Sequence, residues 1–228
     1  MLQNKLLAQA TSWKQNESVQ QNTVVRKPRF FRNFRKTASL LYSGNTFVAF
    51  DTETTGLSCA KDHLLEIGAV KFNKDGLIGE PFDILIKPPV LIPPYITEIN
   101  HIDNQMVSDC PPIEEALQQF LAYIGNKKTI LLAHNAPFDM GFVNTSLVRA
   151  NNTELRNQVI DTLPLARWAY PLLSKESEKG QYKLQSLAKR FKIDVQNAHR
   201  AYDDARVCME LFNRIIKDTL SVQKDLPD

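Results

Sequence analysis

The chain has 228 residues, with 28 Lys and Arg against 25 Asp and Glu, and a formal net charge of +3. Its 43% of hydrophobic residues can form a sizeable core, which excludes wholesale disorder, and no run approaches the ~20 apolar residues that span a bilayer. Three cysteines far apart in the sequence exclude a disulfide framework and a zinc ribbon, and they favour a reducing cytoplasm.

The charge is unevenly distributed along the chain. Residues 1–45 contain eight Lys and Arg and one Glu, whereas the other 183 residues contain 20 basic and 24 acidic groups. We interpret residues 1–44 as a basic N-terminal extension, flexible or partly helical, residues 45–220 as the main folded domain and residues 221–228 as a short tail. The extension alternates Arg and Lys with Phe, which suits contact with a polyanion, although solubility alone would also explain the charge.

Apolar runs after residue 45 predict strands that later alternate with helices. Proline interrupts the segment 87–95, so no helix can cross it. The pattern predicts an α/β fold in which a central, mixed, five-stranded sheet is flanked by helices. The predicted strands are 46–53, 64–72, 82–86, 129–134 and 159–162, and the predicted helices are 113–124, 138–150, 163–170, 183–191 and 201–216.

Two acidic residues end the first predicted strand. Asp51 and Glu53 are two positions apart, so a strand presents both carboxylates on one face of the sheet. Adjacent anions repel each other unless a cation joins them. A solvated strand end is the alternative interpretation of this pair.

Two further segments carry polar groups next to predicted helices. The sequence LLAHNAPFDMGF places Asp139 in the first turn of a helix that follows a strand, and AHRAYDDARVCMEL places His199 and Asp204 at the start of the last helix. An acidic residue in a first helical turn also interacts favourably with the helix dipole, so each segment alone is weak evidence for a site.

Together, FDTETTGL, HNAPFD and HRAYDDA resemble the motifs of the DEDDh 3′–5′ exonuclease family, which has the ribonuclease-H-like fold. The resemblance covers about residues 46–216. Since FDTETTGL is followed by INHID, the chain looks most like the proofreading, epsilon-like branch associated with bacterial DNA polymerase III. A histidine stands where the sister subfamily has tyrosine, which indicates the histidine type.

The resemblance implies a site for two divalent cations, Mg²⁺ or Mn²⁺, held by four carboxylates. Its metal ligands fall on Asp51, Glu53, Asp139 and Asp204, whereas Asp203 precedes the motif position and is not included. Hard cations prefer such oxygen ligands. The family's general base falls on His199, which would take a proton from the attacking water.

The resemblance also implies contacts with the terminal nucleotide. These would come from residues after the first two acids, from the loop INHID and from HNAPFD, namely Thr54, Thr55, Gly56, Leu57, His101, Ile102, Asn135 and Phe138. Phe138 could instead fill the core. We favour the core for this residue, because aromatic side chains are usually buried. Glu66 lies within an apolar strand and needs a partner there, so structural pairing and a role in the site are both open.

The implied activity is hydrolysis of DNA from single-stranded or frayed 3′ ends with release of nucleoside 5′-monophosphates, in proofreading or repair and with a DNA polymerase as a partner. One alternative is an RNA-trimming exoribonuclease, because the motifs do not distinguish the two sugars. The other is a non-catalytic, polymerase-associated or nucleic-acid-binding module, although all five motif residues are present.

Overall fold

The computed structural model describes residues 28–176, 179–195 and 199–224, which form one mixed sheet with helices packed on both faces. Most of the predicted N-terminal extension, residues 1–27, and the end of the predicted tail, residues 225–228, lie outside the described residues. None of the helices in these three ranges is long and apolar enough to cross a membrane.

The described residues contain seven strands and seven α-helices. The strands are β1 (Arg29–Phe30), β2 (Phe47–Thr54), β3 (Leu64–Asn73), β4 (Gly76–Leu77), β5 (Phe82–Leu85), β6 (Ile130–Ala133) and β7 (Gln158–Asp161). The helices are α1 (Thr37–Tyr42), α2 (Pro94–Asn100), α3 (Ile113–Ile124), α4 (Pro137–Arg149), α5 (Thr162–Ala169), α6 (Leu184–Phe191) and α7 (Ala201–Lys224). Short 3₁₀ helices cover Phe34–Lys36 and Pro171–Lys175.

The strand order brings the ends of three parallel strands to one edge of the sheet. The order is β1-β7-β6-β2-β3-β4, and β5 pairs with β3. Strands β1, β7, β6 and β2 are parallel, whereas β3 is antiparallel to β2. In the register, Ala49 faces Leu132 and Ala133 faces Asp161, so β2, β6 and β7 direct their carboxyl ends to the same edge.

Alternate residues of β2 contribute to the cores on opposite faces of the sheet. Val48 and Phe50 pack with α3 and α4, while Phe47 and Ala49 pack in the cluster that contains α7. All four side chains are fully buried. This central strand is therefore fixed on both faces, which gives the acids at its end a rigid base.

The last helix lies directly on the sheet where β3 has a glycine. A Cβ atom added to Gly68 would be 2.0 Å from the backbone nitrogen of Tyr202 and 2.1 Å from the carbonyl carbon of Ala201. Glycine is thus the residue that lets the first turn of α7 lie against β3. That turn also carries Asp204, and Gly68 pairs with Asp51 in the register of β2 and β3.

We expect Gly68→Ala to destabilise the protein by about 3 kcal/mol or more, because the obstructing atoms are backbone and the helix must move. The matched control is Gly141→Ala in α4, where an added Cβ would be 3.6 Å from the Cys59 Sγ atom, an ordinary contact. That control should be neutral or slightly stabilising, since alanine favours a helix. Urea unfolding of both variants measures the difference, and equal stability would contradict the proposed contact.

The five predicted strands and five predicted helices are present in the structure. Two additional strands, β1 and β4, have two residues each, too short to produce a hydrophobic period. Helix α2 was not predicted, because its Pro94 was taken only as a helix breaker, whereas it occupies the first turn, where proline is tolerated. The predicted boundary between the extension and the domain lies at residue 44. Strand β1 precedes this boundary, but it belongs to the sheet of the domain because it pairs with β7.

Candidate active site

Strand β2 presents the first two acids at the carboxyl edge of the sheet. Along its last four residues, Asp51 and Glu53 are partly exposed, whereas Thr52 and Thr54 are buried. This alternation places the two carboxylates on one face, as the two-residue period predicts. The pairing with β3 becomes irregular after Glu53, which ends the regular ladder next to the acids.

The third acid comes from the start of helix α4. Asp139 lies in the first turn of this helix, four residues after Asn135, and only 2% of its surface is exposed. The hydroxyl of Thr52 donates a hydrogen bond of 2.8 Å to Asp139 Oδ1. This bond, together with hydrogen bonds from the backbone of Thr52 and of Asp139 itself, ties the start of the helix to β2.

The fourth acid and the histidine come from the start of α7. Gln185 in α6 donates a hydrogen bond of 2.6 Å to Asp204 Oδ1. His199 is exposed and has a left-handed backbone, with φ of 64°, in the turn before the helix. One ligand atom from each of Glu53, His199 and Asp204 lies within 4.8 Å of the other two, so the first and the third predicted segments converge. Asp139 and Asp51 are not in this group of three, but the charge of Asp139 acts on the nearby Asp51.

The four carboxylates repel one another in a poorly solvated site. Burial, followed by the negative charges of Asp139, Asp204 and Glu53, raises the pKa of Asp51 well above its ordinary value. Burial is also the largest cause that raises the pKa of Glu53 to about 8 and that of Asp139 to about 7. Such a cluster of oxygen ligands fits one or more divalent cations, which would offset the repulsion.

We expect the metal-free protein to lose unfolding free energy as the pH rises from about 5 to about 8, which is the interval between the unfolded and the folded pKa values. The folded pKa values of Glu53 and Asp139 lie above their unfolded values near 4, so the folded state retains protons that the unfolded chain has released. Their stabilising contribution is complete below the unfolded pKa and is lost as the pH passes the folded pKa.

Thermal melts of chelator-treated protein at both pH values measure this change. Added Mg²⁺ should raise the melting temperature more at the higher pH, since the cation then competes with fewer protons. A metal-free melting temperature that does not fall with pH, or a larger Mg²⁺ effect at the lower pH, would contradict the assignment of these carboxylates as a cation site.

Glu66 is buried and has a partly exposed partner, Arg200, which answers the question left by the sequence. Its carboxylate is fully buried, accepts hydrogen bonds from Arg200, the shortest being 2.6 Å from Nη2, and accepts one of 3.0 Å from the backbone of Ala201. The pair joins β3 to the residues between His199 and α7. The charge of Glu66 is also the largest electrostatic contribution to the raised pKa of Glu53. Glu66 is therefore both paired with Arg200 and close to the site.

The segment INHID, whose first two residues end helix α2, contributes a residue that the sequence did not indicate. Asn100 is 1% exposed, and its side chain forms a hydrogen bond with Glu53 that lowers the pKa of that carboxyl against the larger effect of burial. Ile102, which was predicted as a substrate contact, is fully buried and packs with Leu65. Its side chain belongs to the core, so the prediction of a nucleotide contact by this side chain is not supported. His101 is exposed, with φ of 60°.

The residues after the first two acids form a tight loop. The hydroxyl of Thr54 donates to the carbonyl of Gly56 at 2.6 Å, and that of Thr55 accepts from the backbone N–H of His63 at 3.0 Å. Both threonine side chains are therefore buried within the loop and shape it. Leu57, in contrast, is 86% exposed, which leaves an apolar surface beside the acids.

Gly56 is required for a close approach. It has no left-handed φ, but an added Cβ would be 2.4 Å from Asp62 Oδ2, the oxygen that accepts a hydrogen bond from the backbone of Ser58. A glycine is usually needed either for a left-handed backbone or for a close approach, and the structure supports the close approach for Gly56.

The segment HNAPFD contains one exposed candidate contact, Asn135, and two residues whose side chains are held inside the protein, His134 and Phe138. Asn135 is exposed, with φ of 65°, and its backbone N–H donates to Asp161 Oδ1 at 3.0 Å. Phe138 is partly buried and packs 5.0 Å from the Phe142 ring, consistent with the core role favoured above. His134 is held between Thr162 and the carbonyl of Tyr182, and burial lowers its pKa to about 4.

Comparison with known proteins gives relatives along most of the chain. Residues 48–212 match the protein family described as Exonuclease. A DNA polymerase III subunit epsilon from Treponema pallidum is 45% identical over 170 residues, which cover 75% of this chain and 76% of that protein. A PolC-type DNA polymerase III from Clostridium perfringens is 45% identical over 166 residues, but the chain spans only 11% of its length.

Solved structures share the architecture. E. coli exonuclease I in complex with a dT13 oligonucleotide superposes with a TM-score of 0.70 at 22% identity, covering 79% of this chain and 43% of that one. Exonuclease X in complex with 5′ overhanging duplex DNA gives a TM-score of 0.57 at 28% identity, covering 75% of this chain and 91% of that one. The first likeness establishes the fold, and both agree with the predicted α/β architecture.

Proposed function

Because this chain belongs to the exonuclease family, and is thus a nuclease, we propose that it hydrolyses DNA from single-stranded or frayed 3′ ends and releases nucleoside 5′-monophosphates. The observation that carries the proposal is the convergence of four carboxylates and one imidazole at the carboxyl edge of the sheet. These groups come from β2, α4 and the start of α7, and the ligand atoms of Glu53, His199 and Asp204 lie within 4.8 Å of one another.

Two divalent cations, Mg²⁺ or Mn²⁺, would be held by Asp51, Glu53, Asp139 and Asp204. Three observations support this: the donors are oxygens, burial and repulsion raise the pKa of Asp51, and no cysteine belongs to the group. Bound cations supply an acidified water and countercharge for the leaving oxygen in phosphodiester hydrolysis. Thr52, Asn100 and Gln185 orient three of the carboxylates through hydrogen bonds.

His199 is the proposed general base. Its imidazole is exposed, so water reaches it, and it lies beside Glu53 and Asp204. The left-handed backbone at this residue and the Glu66–Arg200 pair that follows it fix the direction of the turn. The imidazole would accept the proton of the attacking water and release it to solvent.

The terminal nucleotide would lie against the exposed residues around the acids. Leu57 offers an apolar surface to a base or sugar, and His101 and Asn135 offer polar groups from neighbouring loops. Thr54, Thr55 and Gly56 act through the shape of the loop that presents Leu57. Phe138 supports the same region from the core.

A proofreading or repair role with a DNA polymerase partner belongs to the same proposal. It is supported by the Treponema pallidum relative, whose name describes a subunit of DNA polymerase III. RNA trimming stays the alternative substrate class, since the residues around the acids do not by themselves select a sugar.

The experiment that tests the proposal is a nuclease assay in Mg²⁺ and in Mn²⁺ on matched DNA and RNA oligomers, labelled at either end. Loss of single nucleotides from the 3′ end of DNA, faster than from RNA, is the expected result. Faster cleavage of RNA would favour an exoribonuclease, and no cleavage in either metal would favour a non-catalytic binding module.

A further inference from the structure

The segment 28–36 is ordered against the domain although it precedes the family match, which begins at residue 48. Strand β1 pairs in parallel with β7, and the backbone N–H of Phe31 donates to the carbonyl of Val159 at 2.7 Å. Phe30 packs against the core on one face of the sheet, and Phe31 and Phe34 pack against the core on the other. The phenylalanines therefore anchor this segment.

A groove of about 680 Å³ lies between this segment and the starts of α4 and α5. One wall has the aromatic and basic side chains of the segment, and the other has the two prolines of the helix starts. We call this the arm groove, and its defining residues are Arg29, Phe31, Arg32, Phe34, Pro137 and Pro164.

The charge of the arm groove is predominantly positive. Arg29 and Arg32 are exposed, Arg35 and Lys36 follow them at exposed positions, and residues 28–45 contain no acid. Asp161 also lines the groove, but its Oδ1 accepts hydrogen bonds from the backbone of Asn135 and Leu163 at 3.0 Å each. Arginines beside aromatic rings suit a strand that carries both phosphates and bases.

The arm groove opens on the same edge of the sheet as the acids. Strand β1 runs parallel to β7, so the residues after Phe30 continue toward the carboxyl ends of β7, β6 and β2. Pro137 of the groove is two residues before Asp139. The order β1-β7-β6-β2 separates β1 from the strand of Asp51 by three strand spacings, or roughly 14 Å.

We propose that the arm groove binds single-stranded nucleic acid upstream of the 3′ terminus, with Arg29 and Arg32 contacting its phosphates. This inference rests on the function proposed above, since it needs a strand whose end lies at the carboxylates. At ~3.4 Å for each stacked nucleotide, the ~14 Å separation corresponds to about four nucleotides. A substrate shorter than that reaches the acids but does not reach the groove.

The experiment compares a DNA trimer with a 12-mer, using the full chain and the double variant Arg29→Ala/Arg32→Ala. The expected loss in kcat/KM is roughly tenfold for the 12-mer and less than twofold for the trimer at ~0.1 M salt. The slope of log kcat/KM against log salt for the 12-mer should become shallower by roughly 1.4, because two phosphate contacts are removed.

The matched control is Lys127→Ala/Lys128→Ala, which removes two exposed charges just before β6, at the opposite end of that strand. This control variant should leave kcat/KM for both substrates, and the salt slope for the 12-mer, unchanged. Equal losses of kcat/KM on the trimer and the 12-mer, or an unchanged salt slope in the arginine variant, would overturn the inference. Either result would favour a protein as the ligand of the arm groove. Failure of the wild-type chain to cleave either substrate would instead overturn the proposed function.

Discussion

Replacement of Asp51 by asparagine is expected to lower kcat on 3′-labelled DNA at least ~10³-fold, a loss of about 4 kcal/mol, and also to raise the melting temperature of the metal-free protein. Both effects follow from the same repulsion. The charges of Asp139, Asp204 and Glu53 raise the pKa of Asp51, so the neutral amide removes an unfavourable charge from the empty cluster. The amide also removes the ligand that lies among the other three acids.

The two measurements are a nuclease assay and thermal melts with and without Mg²⁺. The stabilisation by Mg²⁺ that is expected for the wild type should be reduced in the variant, because the variant has lost a carboxylate ligand. The matched control is Asp75→Asn, an exposed carboxylate in the turn between β3 and β4, which should retain wild-type activity. An Asp51→Asn protein with near-normal kcat would contradict its assignment as a metal ligand.

Replacement of His199 by alanine is expected to lower kcat by 10²–10⁴-fold, the usual contribution of a general base. The imidazole is exposed and lies in a turn, so little stability should be lost with it. Retention of the melting-temperature increase produced by Mg²⁺ is also expected, since the four carboxylates are unchanged.

These measurements separate two roles that proximity alone does not distinguish. His199 is within 4.8 Å of Glu53 and Asp204, so its ring nitrogen could be a cation ligand as well as a base. Loss of the stabilisation by Mg²⁺ in His199→Ala would assign it as a ligand. A wild-type rate in His199→Ala would show that His199 is neither the general base nor an essential cation ligand.

The resemblance to the exonuclease motifs assigned the four acids as a set, whereas local periods predicted only where each acid lies on its strand or helix. The spacing of Asp51 and Glu53 gives one face of a strand, and Asp139 and Asp204 lie in first helical turns in the structure as predicted. Those relations extend over a few residues and depend on backbone geometry alone.

The supporting residues were missed because their partners are distant in sequence. Thr52 meets an oxygen of Asp139, 87 positions later, and Gln185 and Asn100 have no spacing that indicates a role. Gly68 did leave a signal, since a glycine inside an apolar strand indicates a close backbone approach. Its partner, the first turn of α7, could be found only in three dimensions.

The basic segment was the least predictable part of the fold. A two-residue strand such as β1 has no period, and its pairing with β7 joins residues more than 120 positions apart. Anchoring by Phe30, Phe31 and Phe34 depends on cores built almost entirely from later residues. Packing against these two cores accounts for much of the surface of the three phenylalanines.

The contact between Gly68 and the start of α7 has a consequence for the protein during its synthesis. Asp51 and Glu53 leave the ribosome early, but Asp204 and His199 follow about 150 residues later. With the acids and the histidine assigned as proposed above, the site would be complete only when α7 lies against Gly68. A nascent chain therefore remains unable to digest nucleic acid until nearly the whole domain has been translated.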